Sequence, residues 1–225
     1  MTLRVREKMM VMEKLKVNPA KVHGRYVYHV LKRLFDIIAS AVGLILLSPL
    51  FLFLIIKIRH EDGGPVFYSQ ERIGKDEKPF KMWKFRSMVV NADQMIDQLE
   101  DQNEINGAMF KIKDDPRITK IGHTIRKHSL DELPQLWNVL IGDMSLVGPR
   151  PPLPSEVEEY TDYDKQRLLV MPGCTGLWQV TKRNESDFDE MVWLDIVYIN
   201  HSGIIEDLKI IIKTIGVVIH PNGAY

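Results

Sequence analysis

The stretch LFDIIASAVGLILLSPLFLFLII, residues 34–56, decides the architecture: across its 23 positions Asp36 is the one charged side chain. As a straight helix it would extend about 34 Å, slightly more than the roughly 30 Å hydrocarbon core of a bilayer. Ser48-Pro49 interrupts the run. The proline removes one backbone hydrogen bond and its ring collides with the carbonyl of Ile45, while Ser48 can bond back to the carbonyl of Leu44, so a break is expected there. Lys32-Arg33 on one side and Lys57-x-Arg59-His60 on the other are basic flanks of the kind that stay cytoplasmic. A hairpin that enters and leaves on one face satisfies both features. A single-pass helix kinked at the proline is the other reading, because spanning helices tolerate proline, and the pattern by itself does not choose. A cleaved signal peptide fits badly, since its charged n-region would exceed thirty residues and no A-x-A site follows.

Outward from that segment the charge is divided. Residues 1–33 hold nine Lys or Arg and two acids, an excess of seven cations that the remainder cancels, because the 225 residues carry 30 cations and 30 acids in all. The basic arm is expected to face anionic lipid headgroups. With 45% hydrophobic and 27% charged residues the chain can bury a core, which excludes disordered, collagen-like and low-complexity classes. The lone Cys174 has no partner for a disulfide or a thiolate metal site and suits a reducing compartment.

Beyond residue 60 the pattern is that of a mixed domain. PVFYSQERI, a Gly74-Lys75-Asp76 turn and KPFKMWKFRSM read as a β-hairpin, with Phe80, Met82, Lys84 and Arg86 on one face. Two cations on that face suit a diphosphate. Residues 91–105 read as an acidic amphipathic helix capped by Asn91, with Met95, Ile96 and Leu99 inward, and 118–127 as a short helix. In KHSLDELPQLWNVLIGDMSLVGPRPP, residues 127–152, Ser129 and Glu132 match a capping box before the apolar positions Leu133, Leu136, Trp137, Leu140 and Ile141, although Pro134 would sit better if Asp131 were the cap. Capping alone accounts for both acids. The cations Arg126, Arg150, Lys84 and Arg86 offer a second account. A carboxylate attacking phosphorus needs positive surroundings, so Asp131 as nucleophile and Glu132 as a Mg²⁺ ligand is reasonable chemistry.

The basic arm, the Ser-Pro-broken segment, KFRSM (84–88), DPRIT (115–119), SLDELPQLWNVLIGDMSLVGPRP (129–151) and PGCTGLWQV (172–180) together resemble the bacterial sugar transferases of the monotopic phosphoglycosyl transferase family. The resemblance runs from about Lys32 to Tyr225. It implies an α/β fold, mostly helical with a small β-hairpin, and a monotopic membrane protein: a basic arm (1–33), a re-entrant helix broken at Ser48-Pro49 (34–59) and one cytoplasmic catalytic domain (60–225). It implies that Asp131 attacks the sugar-bearing phosphate of a UDP-sugar and expels UMP, with Glu132 helping to bind Mg²⁺. A polyprenyl (undecaprenyl) phosphate then takes the phosphosugar, the first membrane step of exopolysaccharide, capsule or O-antigen synthesis at the cytoplasmic face of the bacterial inner membrane. Lys84, Arg126 and Arg150 match the family's phosphate-contacting positions, with Arg86, Asp115 and Arg117 as further candidates.

Other readings stay open at this stage. Residues 172–183, with Trp178, either line a nucleotide pocket or form a packed loop. The last helix, residues 203–220, either lies in the membrane interface or completes the core, the interface being preferred. Asp162-x-Asp164 and Asp187-x-Asp189 fit the D-x-D of glycosyltransferases that release UDP. A membrane-tethered interaction protein, with Asp131 and Glu132 only capping a helix, is the non-enzymatic alternative. No dinucleotide fingerprint or P-loop is present, His123 and His128 lack the company a zinc site needs, and no nucleic-acid partner is expected. The sugar and the oligomeric state are not legible.

Overall fold

The computed structural model describes residues 15–95, 112, 115–181 and 188–219. In chain order its elements are α1 (Pro19–His23), α2 (Tyr26–Leu46), α3 (Ser48–Asp62), β1 (Phe67–Ile73), β2 (Pro79–Phe85), α4 (Lys120–Lys127), α5 (Gln135–Ile141), β3 (Ser145–Val147), α6 (Pro154–Glu158), β4 (Gly173–Thr175), α7 (Leu177–Thr181), α8 (Phe188–His201) and α9 (Ile204–Ile219), with short 3-10 turns between several of them. The protein is mostly helical. Its described strands form two small sheets, the antiparallel β1-β2 hairpin and a parallel β3-β4 pair. Residues 96–105 of the expected acidic helix lie outside the described residues, and Ala92–Met95 forms a 3-10 turn.

The apolar segment breaks where the proline demands it. α2 and α3 meet at Leu47 with a bend of 59°. Among the described residues no single helix is long and apolar enough to cross a membrane, and only this bent pair meets that measure together. Pro49 has no N–H for the carbonyl of Ile45, so the Ser48 hydroxyl donates to it instead, at 2.7 Å, in place of the expected bond to Leu44.

Asp36 points at protein. It is buried and accepts a hydrogen bond from the backbone N–H of Leu146, the middle residue of β3. The same face of α2 carries Arg33, whose guanidinium donates to the carbonyls of Val139 and Leu140 in the last turn of α5, and Lys32, paired with Asp207 of α9 at 2.9 Å. Arg25 donates to the carbonyls of Asn200 and Ser202 at the end of α8. The expectation that the basic arm presents its cations to lipid therefore fails for these three. Helix C-termini leave carbonyls without intrahelical donors, and a guanidinium fork meets two at once. The opposite face of α2 is exposed and apolar, with Val27, Val30, Leu31, Leu34, Ile38 and Leu46.

The second limb is fastened to the domain. Leu54 and Ile58 of α3 are buried against Phe85 of β2 and Ile125 of α4, with Leu130 and Leu133 packed alongside. Burying side chains of this size contributes roughly 1.5–3 kcal/mol each. At the end of α3 the carboxylate of Glu61 accepts from the backbone N–H groups of Lys120 and Ile121 at the start of α4. The neighbouring Asp62 accepts from both terminal nitrogens of Arg86, just past β2. α4 also approaches the chain beyond β2 so closely that a Cβ on Gly122 would lie 2.0 Å from the carbonyl oxygen of Ser87.

α9 resolves both ways: Asp207 and Ile210 are buried, and Ile205, Leu208, Ile212 and Ile215 are exposed. The Asp62–Arg86 pair yields an asymmetric expectation, because the Arg86 side chain is 7% exposed and that of Asp62 29%. Asp62→Ala strands a buried guanidinium and should cost about 2–4 kcal/mol, whereas Arg86→Met leaves a carboxylate that water reaches and should cost about 1 kcal/mol. Urea titrations of the two variants should show this order; equal losses would contradict it.

Candidate active site

The hairpin supplies a polar wall. In its register Tyr68 faces Lys84, Gln70 faces Met82 and Arg72 faces Phe80, so all six share one side of the sheet, while Phe85 fills the apolar cluster on the other. The turn is longer than the sequence suggests, running from Gly74 to Lys78 with left-handed Asp76 and Glu77. β2 ends at Phe85, so Arg86 leaves the face expected for it and is committed to Asp62 and the carbonyl of Pro65.

The acidic pair lies on a 3-10 turn, Leu130–Glu132, at the end of that wall. The expected capping box does not form. Ser129 takes a left-handed backbone, φ 53°, with no side-chain cap bond, and Pro134 forces the α-helix to start late because it has no N–H to bond back. The cap position of α5 is Pro134 itself, again without a side-chain cap bond. Helix capping therefore does not account for Asp131 and Glu132. Leu130 and Leu133 are drawn into the cluster around Leu54 and Ile125, which buries Asp131 between them and leaves Glu132 41% exposed.

Burial pushes the Asp131 carboxyl up from an ordinary 3.8 to about 6; Lys84 and Arg126 oppose that rise, and Glu132 adds to it. Lys84 Nζ is 2.8 Å from Glu132 Oε1. The result is a carboxylate that is poorly solvated yet ionised above about pH 6, with two cations in electrostatic reach. Poor solvation leaves a nucleophile less masked by water, and neighbouring cations offset charge on an approaching phosphate.

Arg72 is the residue that the sequence reading missed. It is buried on β1, within electrostatic reach of Arg150, Glu156 and Glu132. Pairing the two strands of the hairpin, instead of reading the second alone, would have put it on the same face as Lys84. Arg72 Nη1 also donates to the carbonyl of Pro151 at 3.1 Å. The neighbouring carbonyls of Pro149 and Pro152 accept from the N–H groups of Gly173 and Ile73. Gly148 and Gly173 approach so closely that neither could carry a Cβ. Arg150 therefore projects from a stiff loop, its guanidinium 3.4 Å from both oxygens of Glu156.

Asp115 and Arg117 are both buried and pair with each other at 2.6 Å, closing the turn before α4. Thr161 donates to Asp164 through its N–H and hydroxyl, which occupies one acid of the first D-x-D, and Asp187 of the second lies outside the described residues. Of residues 172–183, 173–175 form β4 and Leu177 and Val180 pack on the core, with Trp178 half-buried; Lys182 and Arg183 lie outside the described residues. Cys174 is half-buried there, and loss of water around its sulfur holds the thiol well above its ordinary range.

Mg²⁺ bound with a phosphorylated substrate takes one or two carboxylates and fills its shell with phosphate oxygens and water. Glu132, partly exposed beside buried Asp131, meets that requirement, while among the described residues no three His, Cys, Asp or Glu form a closed metal site.

A broken apolar segment thus packs against the turn that carries a buried, cation-flanked carboxylate. Residues 27–221 match the family described as bacterial sugar transferase, and the chain belongs to it. It is 50% identical over 201 residues to the galactosyl transferase CpsE of Streptococcus agalactiae, covering 89% of this chain and 44% of that protein. To the undecaprenyl-phosphate galactose phosphotransferase of Salmonella typhimurium it is 47% identical over 212 residues, covering 92% and 44%. To the exopolysaccharide production protein ExoY of Rhizobium meliloti it is 41% identical over 198 residues, covering 86% and 88%. The chain thus spans less than half the length of the first two.

The raised Asp131 value has a consequence for stability. The folded protein holds this proton between about pH 4 and 6, where the unfolded chain has lost it, so stability due to this group is full below about pH 4 and lost as pH rises through 6. The rise from 3.8 to about 6 corresponds to about 3 kcal/mol at most. Asp131→Asn should therefore raise Tm at pH 8, by roughly 5 °C, and change it little at pH 4. Melting curves at the two pH values check this, and a variant less stable than wild type at pH 8 would contradict it.

Proposed function

We propose that this chain transfers a sugar 1-phosphate from a UDP-sugar to a polyprenyl phosphate such as undecaprenyl phosphate. An Oδ of ionised Asp131 attacks the sugar-bearing phosphorus, and the bond from that phosphorus to the bridging oxygen breaks, so UMP departs with the oxygen. The phosphosugar is then an acyl phosphate on Asp131. A phosphate oxygen of the polyprenyl carrier attacks the same phosphorus, the acyl phosphate bond breaks, and the Asp131 carboxylate returns as polyprenyl-diphosphate sugar leaves. The observation that carries this reading is the burial of Asp131 with Lys84 and Arg126 in electrostatic reach.

Lys84 and Arg126 offset negative charge on the transferred phosphoryl group, and Arg150, with Arg72 behind it, takes the other end of the diphosphate. Mg²⁺, when held by Glu132, would supply further neutralisation of that diphosphate. The names of the relatives support galactose as cargo and exopolysaccharide as destination. A D-x-D glycosyltransferase is disfavoured by the engagement of Asp164 with Thr161.

Purified protein with Mg²⁺, undecaprenyl phosphate and a panel of UDP-sugars should release UMP with one or more of them. Release of UDP would sink the phosphosugar reading. Asp131→Asn should lower turnover by at least about 10³-fold, as expected for loss of a nucleophile, and wild-type-like turnover by it would remove Asp131 from that role.

The hairpin is proposed to enter one leaflet from the cytoplasmic face, with the exposed apolar faces of α2 and α9 against lipid. Their exposed Leu, Ile and Val side chains and the basic residues flanking the segment support this placement. Cysteines at the exposed positions His23 and His60 should react with a membrane-impermeant maleimide from the same side. Labelling from opposite sides would restore a spanning helix.

A further inference from the structure

The loop from Gly148 to Pro152 has one more anchor, and it comes from the most deeply buried charge among the described residues. Arg167, on the 3-10 turn Asp164–Leu169, is 1% exposed. Its Nη2 donates to Asp195 of α8 at 2.5 Å and to the backbone carbonyl of Arg150 at 3.1 Å. Its Nη1 donates to the hydroxyl of Tyr160 at 2.7 Å, and the guanidinium carbon lies 5.8 Å over the Tyr160 ring. With the bonds from Gly173, Arg72 and Ile73, four successive carbonyls, 149 to 152, are each held by a different donor.

A fully buried ion pair is a poor source of stability, because desolvation consumes most of the attraction and an apolar pair of equal volume does as well. An apolar pair cannot donate to the Arg150 carbonyl. Arg167 has the one planar fork that can reach Asp195, Tyr160 and that carbonyl together. We propose that Arg167, oriented by Asp195 and Tyr160, is a positioning residue that fixes the backbone of Arg150 and so the reach of its guanidinium toward the donor diphosphate. It touches no substrate itself, and its role rests on the reading of Arg150 as a donor ligand given above.

The test uses the full chain with undecaprenyl phosphate, Mg²⁺ and a UDP-sugar that the wild type accepts, scored by UMP release, with kcat/KM measured separately for donor and acceptor. Arg167→Met/Asp195→Leu removes the pair without stranding a charge and should keep Tm within a few degrees of wild type. Its donor kcat/KM should fall about ten- to a hundredfold, the size of effect that a displaced binding group produces, with the acceptor kcat/KM unchanged. Arg150→Ala should lower the same constant, and the triple variant should fall no further than Arg150→Ala alone, because the pair acts through Arg150. Losses that multiply, or equal losses for donor and acceptor, would overturn the positioning role. If the double variant does not fold, Arg167→Lys keeps the charge pair but not the fork, and should show the same donor-selective loss; wild-type kinetics there overturns the proposal. Wild-type kinetics for Arg150→Ala would instead remove Arg150 as a donor ligand and the positioning role with it.

Discussion

Pro49 has no N–H to give to the carbonyl of Ile45, and the course of the chain follows from that one missing bond. Because the apolar segment bends by 59°, α3 leaves the line of α2 and lays Leu54 and Ile58 against the domain. Glu61 and Asp62 then arrive beside α4 and the end of β2, the two elements that carry Arg126 and Lys84. Leu54 and Ile58 meet Phe85 and Ile125 on the way, and Leu130 and Leu133 close over the same cluster. Asp131 lies between those two leucines, so the burial that raises its carboxyl is a downstream result of the bend.

How much of this was legible depended on how local each signal was. The Ser-Pro break and the β1-β2 hairpin could be read because a proline, or an alternation, acts within a few residues. The parallel β3-β4 pair could not, since Ser145–Val147 and Gly173–Thr175 are three-residue strands brought together only by tertiary packing. The S-x-x-E motif predicted a helix start that Pro134 delays, a conflict visible in the sequence but settled by geometry. Alternation placed Arg86 with Lys84, yet the strand ends one residue earlier. Arg72 was overlooked for the opposite reason: the carbonyl it holds, that of Pro151, lies far along the chain.

The charges tell a similar story. A chain with equal cations and acids and a basic first segment suggested an arm turned toward lipid. Three of those cations instead cap helices or pair across α2 and α9, and the lone acid of the apolar run receives a backbone N–H from β3. Counting charges by position cannot reveal this, because a cation on a helix face has the same sequence signature whether it meets a headgroup or a carbonyl. The exposed apolar surface lies instead on the faces of α2 and α9.

Leu54, Ile58, Phe85 and Ile125 belong to one cluster, which means that the broken apolar segment and the part that carries Asp131 share a single core. Such a segment is not a detachable tether. A copy whose hairpin had not yet folded back would have no apolar wall behind Leu130 and Leu133 and no buried Asp131. The packing of the bent segment and the burial of Asp131 are thereby coupled.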